Sequence, residues 1–244
     1  MLENREGQKV PNVTFKVREN GEWKQITTEN LFANKKVVLF ALPGAYTPTC
    51  SSAHLPRYNH LADTFFANGI DAIYCLSVND TFVMNAWAED QKADKIQMLP
   101  DGNGDFSAGM GMLVDKENLG FGKRSWRYAM IVDNGVIQKM FIEPERDGDP
   151  FEVSDADTVL KALNPEAKTP DFFTLFSKAG CPYCANAKNM LREAGLPFEE
   201  ILIGQGASVH AMRAVTGKTA TPQVYLDGQH IGDSEDLARF LTQR

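Results

Sequence analysis

Two of the four cysteines stand in Cys181-Pro182-Tyr183-Cys184, and a third, Cys50, closes the run Pro43-Gly44-Ala45-Tyr46-Thr47-Pro48-Thr49-Cys50. Two cysteines separated by two residues can hold a metal or close a disulfide. A structural zinc site needs four ligands, and no second Cys pair or His pair accompanies this one, so no metal is expected. Pro182 suits a first helical turn, where its missing N–H has no intrahelical partner anyway. A thiolate at Cys181 would then face the unpaired N–H groups and positive end of a helix, which favour it.

Cys50 is placed in the same way, between an apolar run over 37–42 and a segment of helical period over 55–67. Its sequence neighbours are small and polar, which suits a reactive thiolate better than an inert buried thiol. A thiolate attacking a peroxide O–O bond drives charge onto the leaving oxygen, so such a site needs donors aimed there and a fixed cation. The Thr47 hydroxyl can donate, and Arg127 is a cation that keeps its charge near physiological pH. Cys75, inside the apolar Ile73-Tyr74-Cys75-Leu76, reads as a small buried hydrophobe.

The elements that carry these residues alternate. Apolar β-branched runs over 37–42, 70–78 and 128–132 are separated by helical-period segments over 55–67 and 81–90, and Asn134-Gly135 signals a two-residue hairpin. After a helical segment over 155–163, the stretch 164–170 is polar and twice interrupted by proline, which marks a linker. The pattern then restarts: strand 172–176, helix 182–194, strand 198–202, helix 208–215, strand 223–226, a turn at Asp227-Gly228, strand 229–231, and a last helix capped by Asp233 or Ser234. Two α/β domains are expected, 1–163 and 171–244, each a mixed sheet flanked by helices.

From 171 onward the chain resembles a dithiol glutaredoxin. Lys178 looks like that family's contact to the glutathione carboxylate, and Tyr183 is its usual aromatic. Thr221-Pro222 resembles its cis-proline dipeptide, whose first residue offers backbone to the cysteinyl part of glutathione. The segment 232–236 resembles its Gly-Gly-x-x-Asp turn for the γ-glutamyl end, with Ser234 and Glu235 as candidate donors. Asp233 stands where the second glycine is expected. Over 4–163 the chain resembles a type-five peroxiredoxin: Pro43, Thr47 and Cys50 reproduce Pro-x-x-x-Thr-x-x-Cys, Arg127 matches the distal arginine, and Tyr46 replaces a phenylalanine and reads as a packing variant. The order of domains resembles bacterial peroxiredoxin-glutaredoxin hybrids, and both domains then imply thioredoxin folds.

That resemblance implies a thiol peroxidase acting on hydrogen peroxide and alkyl hydroperoxides at Cys50. With Cys75 set aside, the first domain has no resolving cysteine, so the sulfenic acid needs an outside thiol. Glutathione as co-substrate, with Cys181 and Cys184 recycling it, fills that need. A peroxide sensor would not need a reductant attached, and within the glutaredoxin family Pro182 argues against an iron-sulfur carrier. A homo-oligomer, dimer or tetramer, is implied by resemblance alone.

The remaining composition limits partners. A net charge of −7 without a Lys/Arg run longer than two argues against nucleic acid. No stretch approaches the length of a membrane span, and the polar N-terminal segment lacks a secretory core, so a cytoplasmic address is expected. His54, His60, His210 and His230 lack metal-ligand spacing and are expected on solvated faces. No glycine fingerprint follows a strand, and Gly102-Asn103-Gly104 reads as a loop, so no nucleotide, flavin or haem is expected.

Overall fold

The strand that precedes the Cys50 run is buried on both faces, which is why it reads as an unbroken apolar segment instead of an alternating one. In the computed structural model, which describes residues 2–243, contacts divide the chain between Thr169 and Pro170 into two compact units.

The first unit opens with a hairpin of β1 (Thr14–Glu19) and β2 (Glu22–Thr27), then α1 (Thr28–Phe32) and β3 (Lys36–Ala41). A π-helical turn, Cys50–His54, runs directly into α2 (Leu55–Ala67). There follow β4 (Ala72–Ser77), α3 (Thr81–Asp90), β5 (Gln97–Pro100) and α4 (Asp105–Gly109). A small pair, β6 (Leu113–Asp115) and β7 (Lys123–Ser125), precedes β8 (Tyr128–Asp133), β9 (Val136–Ile142) and α5 (Ala156–Leu163). The main sheet has the order β5-β4-β3-β8-β9, with β3, β4 and β5 parallel and β8 and β9 antiparallel.

Alternation along β3 sends Val38 and Phe40 into one core with Tyr58, Leu61, Phe65, Trp87 and Leu160. Val37 and Leu39 go into the other, with Phe15, Phe32, Phe106 and Met130. Fully burying each such side chain is worth about 1.5–3 kcal/mol, which holds the sheet centre rigid beneath the site at its edge. Asn134 and Gly135 both take positive φ, 46° and 76°, as the turn between β8 and β9 requires.

The second unit contains β10 (Phe173–Lys178), α6 (Pro182–Glu193), β11 (Phe198–Ile203), α7 (Val209–Thr216), β12 (Gln223–Leu226), β13 (Gln229–Gly232) and α8 (Ser234–Thr242). Its sheet order is β11-β10-β12-β13, with β10 and β11 parallel and the others antiparallel. Its core is small: Phe173, Leu175, Ala187, Leu191, Val224 and Leu237. Of the two expected caps for the last helix, Asp233 takes the position.

The segment expected as a linker makes contacts with the first unit. Asn164 Nδ2 donates to Asn68 Oδ1 at 2.7 Å, and Ala167 lies against the first unit's core. Among the described residues no helix is long and apolar enough to cross a membrane.

Candidate active sites

In the first unit, Ala41 at the end of β3 lies opposite Tyr128 at the start of β8. Pro43 and Arg127, just beyond those residues, therefore leave the sheet at one edge. The chain returns to that edge through 44–49 and enters the π turn, in which Leu55 N–H bonds to Cys50 O. Such a turn adds one residue to a helical repeat and is frequent at functional sites. Here it turns both Cys50 and His54 inward, each with 0% exposure.

Two expectations are corrected at this point. Cys50 is flanked by polar residues in sequence, but in space it belongs to the apolar core that holds Phe40, Tyr58 and Trp87. His54, expected on a solvated face, is among the most buried side chains, with its ring 4.9 Å from that of Phe40. It is fixed at both nitrogens: Nδ1 lies 3.0 Å from Arg127 Nη1, and Nε2 lies 3.1 Å from Ser154 O. A guanidinium only donates and a carbonyl only accepts, so His54 carries its proton on Nε2 and accepts from Arg127 at Nδ1. Burial, then the Arg127 charge, holds its pKa well below the usual histidine value.

Arg127 itself is 1% exposed. Its Nη2 donates to the half-exposed Asp149 carboxylate and its guanidinium lies 5.5 Å from the Phe151 ring centre. Its Nε makes no hydrogen bond among the described residues and is buried. Ser154, which anchors His54, is itself held by Glu143, whose buried carboxylate accepts from Glu152, Val153 and Ser154 N–H groups and from the Ser154 hydroxyl.

Thr47 differs in role from the sequence reading. Its hydroxyl donates to Gly44 O at 2.8 Å, so toward a bound molecule it presents lone pairs. Tyr46, read as a packing variant, is 54% exposed and holds a positive φ of 62°. The loop is braced by residues the sequence reading missed. Asn79 Oδ1 accepts from Ala45 N–H at 3.0 Å and from the Ser77 hydroxyl at 2.8 Å, and Arg124 Nη1 approaches Pro43 O at 3.5 Å and Val78 O at 3.3 Å. Cys75 lies in β4 opposite Phe40, with 0% exposure. Burial pushes its thiol well above the usual cysteine value, and a nearby Cys50 charge acts in the same direction.

In the second unit, Cys181 is the N-cap of α6 and is joined to Cys184 by a disulfide, with Cα atoms 5.3 Å apart. Cys184 N–H donates to Cys181 Sγ at 3.2 Å, which shows the helix N-terminus aimed at that sulfur. Cys184 is buried, Thr221 O lies 3.7 Å from Cys181 Sγ, and the Thr221-Pro222 peptide is cis. Lys178, Cys181, Pro182 and Thr221 line one cleft with Val209 and Met212. Tyr183 stands exposed outside it.

The turn at 232–236 shows what Asp233 does. Its carboxylate accepts from Glu235 N–H at 2.8 Å and Asp236 N–H at 3.2 Å, while Asp236 returns a bond to Asp233 N–H. The Glu235 donor expected for a glutathione carboxylate is therefore occupied by the protein's own side chain. Gly232 has φ of 133°, and a Cβ there would run into the Asp236 carboxylate, so this position needs glycine.

A redoxin family model matches residues 5–160, and a glutaredoxin model matches residues 173–231. The chain belongs to the redoxin family, with a glutaredoxin domain after it, and both domains have the thioredoxin fold. It is 57% identical over 98% of its length to the hybrid peroxiredoxin hyPrx5 of Haemophilus influenzae, covering 100% of that protein, which places it among the peroxiredoxin-glutaredoxin hybrids. The first domain alone is 57% identical to a Synechocystis peroxiredoxin, over 64% of this chain and 89% of that one. Among solved structures it resembles reduced Prx3 of Vibrio vulnificus in complex with H2O2, at 49% identity and a TM-score of 0.61, over 65% of this chain and 98% of that one. The domains imply thiol peroxidase activity.

Proposed function

We propose that the protein reduces hydrogen peroxide and alkyl hydroperoxides at Cys50 with glutathione as reductant, and that Cys181 and Cys184 return Cys50 to the thiol. The observation that carries this reading is Cys75: it is the other cysteine of the first unit, and it is buried within β4 and kept protonated. Cys50 therefore draws its second thiol from outside that unit. The second unit offers one beside Lys178 and Thr221.

Cys50 thiolate attacks one peroxide oxygen, the O–O bond breaks, and the leaving oxygen takes a proton, giving a sulfenic acid and water or an alcohol. The buried Arg127, held by His54 and Asp149, supplies positive charge at the loop edge. Thr47, its own hydrogen given to Gly44 O, accepts a hydrogen bond from the bound peroxide, with Pro43 shaping the loop. Prx3 of Vibrio vulnificus, 49% identical, was solved with H2O2 bound, which supports that substrate. Glutathione thiol then condenses with the sulfenic acid, releasing water and leaving Cys50 as a mixed disulfide. Cys181 thiolate takes over the glutathionyl group, and a second glutathione or Cys184 completes the exchange.

Glutathione would be bound by Lys178 at a carboxylate, by the Thr221 backbone ahead of Pro222, by Tyr183 along its flank and by Ser234 at the γ-glutamyl end, with the Glu235 N–H joining only where Asp233 gives it up. In this reading residues 1–163 carry the peroxidase and 171–244 its reductase, joined by 164–170, in a cytoplasmic homo-oligomer. No resident metal or cofactor takes part. Peroxide consumption with glutathione and glutathione reductase as the sole reducing system tests it. Cys50→Ser should abolish turnover and Cys181→Ser should lower it strongly, whereas full activity in either variant would refute the division of labour.

A further inference from the structure

The second unit contains a charged group for which the scheme above has no use. Glu200, on β11, accepts a hydrogen bond from Lys188 Nζ at 2.8 Å and another from the Ser177 hydroxyl. Ser177 is fully buried and immediately precedes Lys178 on β10. Lys188 follows Cys184 by four residues on α6, so the two side chains share a helix face. Lys188 and Glu200 line one cleft together with Cys181, Cys184 and Leu202, and Thr221 does not line it. This is a second approach to the disulfide, adjoining the cleft that contains Thr221 and sharing Lys178, Cys181 and Pro182 with it.

A free lysine is a mobile point charge on a four-carbon stem. Here it is tethered. The Lys188 and Ser177 hydrogen bonds hold the Glu200 carboxyl below the usual glutamate value, so the tether is charged at neutral pH. We propose that Lys188, fixed by Glu200 and Ser177, is the cation that stabilises negative charge on Cys184 Sγ as the Cys181–Cys184 disulfide opens and closes. The inference rests on reading the two cysteines as a redox pair. It adds a positioning and electrostatic role for three residues outside the glutathione cleft.

Glutathione thiolate attacks Cys181 Sγ, a new S–S bond forms, and the Cys181–Cys184 bond breaks with its electron pair passing to Cys184 Sγ. Glutathione sulfur is oxidised, Cys184 is reduced to a thiolate beside the ammonium, and a proton from solvent then neutralises it. In the reverse direction Cys184 releases that proton, attacks the Cys181 mixed disulfide and expels glutathione thiolate. A leaving thiol of lower pKa leaves faster, so a cation at Cys184 speeds opening. The other charge lining this cleft is Lys178 on β10, and Arg192 on α6 acts on Glu200 from outside it. Neither is altered in the variants below.

The test uses the full chain. In a Cys181→Ser background, the 13Cβ shift of Cys184 is followed against pH with Lys, Met or Arg at 188. Lys188 is 24% exposed, so its effect falls at the low end of the range for an opposite charge nearby. Lys188→Met should raise the Cys184 midpoint by about one pH unit, and Lys188→Arg should keep it near the parent value. With both cysteines present, stopped-flow opening of the disulfide by glutathione should slow about threefold in Lys188→Met and recover in Lys188→Arg. An unmoved midpoint or rate in Lys188→Met, or an Arg variant that shifts as far as the Met variant, overturns the proposal. Neither readout involves peroxide or Cys50, so it can fail while the recycling scheme stands, and the reverse.

Discussion

His54 Nδ1 accepts a hydrogen bond from Arg127 Nη1 at 3.0 Å inside a core where both side chains are essentially unexposed. The bond requires neutral His54, since a protonated ring has no lone pair to offer. His54→Ala should therefore leave Arg127 less well placed and lower kcat/KM for peroxide by about tenfold or more, the scale on which misplacement of a charge-stabilising group acts. His54→Asn, which keeps an acceptor near the Nδ1 position, should recover part of it. Stopped-flow oxidation of Cys50 by hydrogen peroxide measures this, and an unaffected rate in His54→Ala would show that Arg127 needs no such support.

The same histidine makes the first domain acid-sensitive. Its folded pKa lies below the unfolded value, so the unfolded chain binds the proton first as pH falls. The stability this contributes is present above the unfolded histidine value of about 6.5 and is lost progressively below it. Urea unfolding at a series of pH values should show that loss in the parent, with a shallower slope below about pH 6.5 in His54→Asn. Equal slopes would contradict the buried neutral assignment.

Asp233 blocks donors that a glutathione carboxylate could use, because it accepts from Glu235 and Asp236 N–H groups itself. Asp233→Gly frees those donors and removes a negative charge. The KM for glutathionylated substrates should fall several-fold, on the scale of one charge-assisted hydrogen bond. Exchange of the Asp cap for Gly should cost only about 0.3 kcal/mol of stability in the second domain. A KM that rises would mean that Asp233 contacts the peptide directly, for instance at its α-amino group.

Much of this architecture was legible beforehand. The strand over 37–42, the helices over 55–67 and 81–90 and the order of elements in the second unit follow from hydrophobic period, because each segment buries one face or is buried entirely. The short pieces, α4, β6 and β7, carry too few residues for a period to show. At the sites, Cys50, Thr47, Cys181 and Thr221 stood in motifs with fixed spacing, whereas His54, Asn79, Arg124 and Glu143 act through contacts between distant segments. His54 follows Cys50 by four residues, the spacing of one helix face, yet what His54 meets there, Phe40, Arg127 and Ser154, comes from distant segments. The exposure of Tyr46 was equally hidden, since its positive φ is a property of the loop.

Arg124 reaches carbonyls just beyond the ends of β3 and β4, Pro43 O in the Cys50 loop and Val78 O beside it. Arg124→Met retains much of its bulk and removes the donors. Stability should change by less than about 1 kcal/mol, as befits long, partly exposed hydrogen bonds, while the rate of Cys50 oxidation falls several-fold as the loop loosens. Thermal melts alongside peroxide kinetics separate the two effects, and equal losses in both would indicate a purely structural role.

In the proposed cycle Cys50 passes through a bond to glutathione that Cys181 removes. Intact-mass spectrometry of Cys181→Ser, alkylated during turnover with hydrogen peroxide and glutathione, measures this directly. One glutathione adduct per chain is predicted, mapped to Cys50, that disappears on adding full-length Cys50→Ser chain, whose Cys181 and Cys184 are intact. Cys50 found instead as a disulfide with Cys75, or free of glutathione while turnover continues, would contradict it.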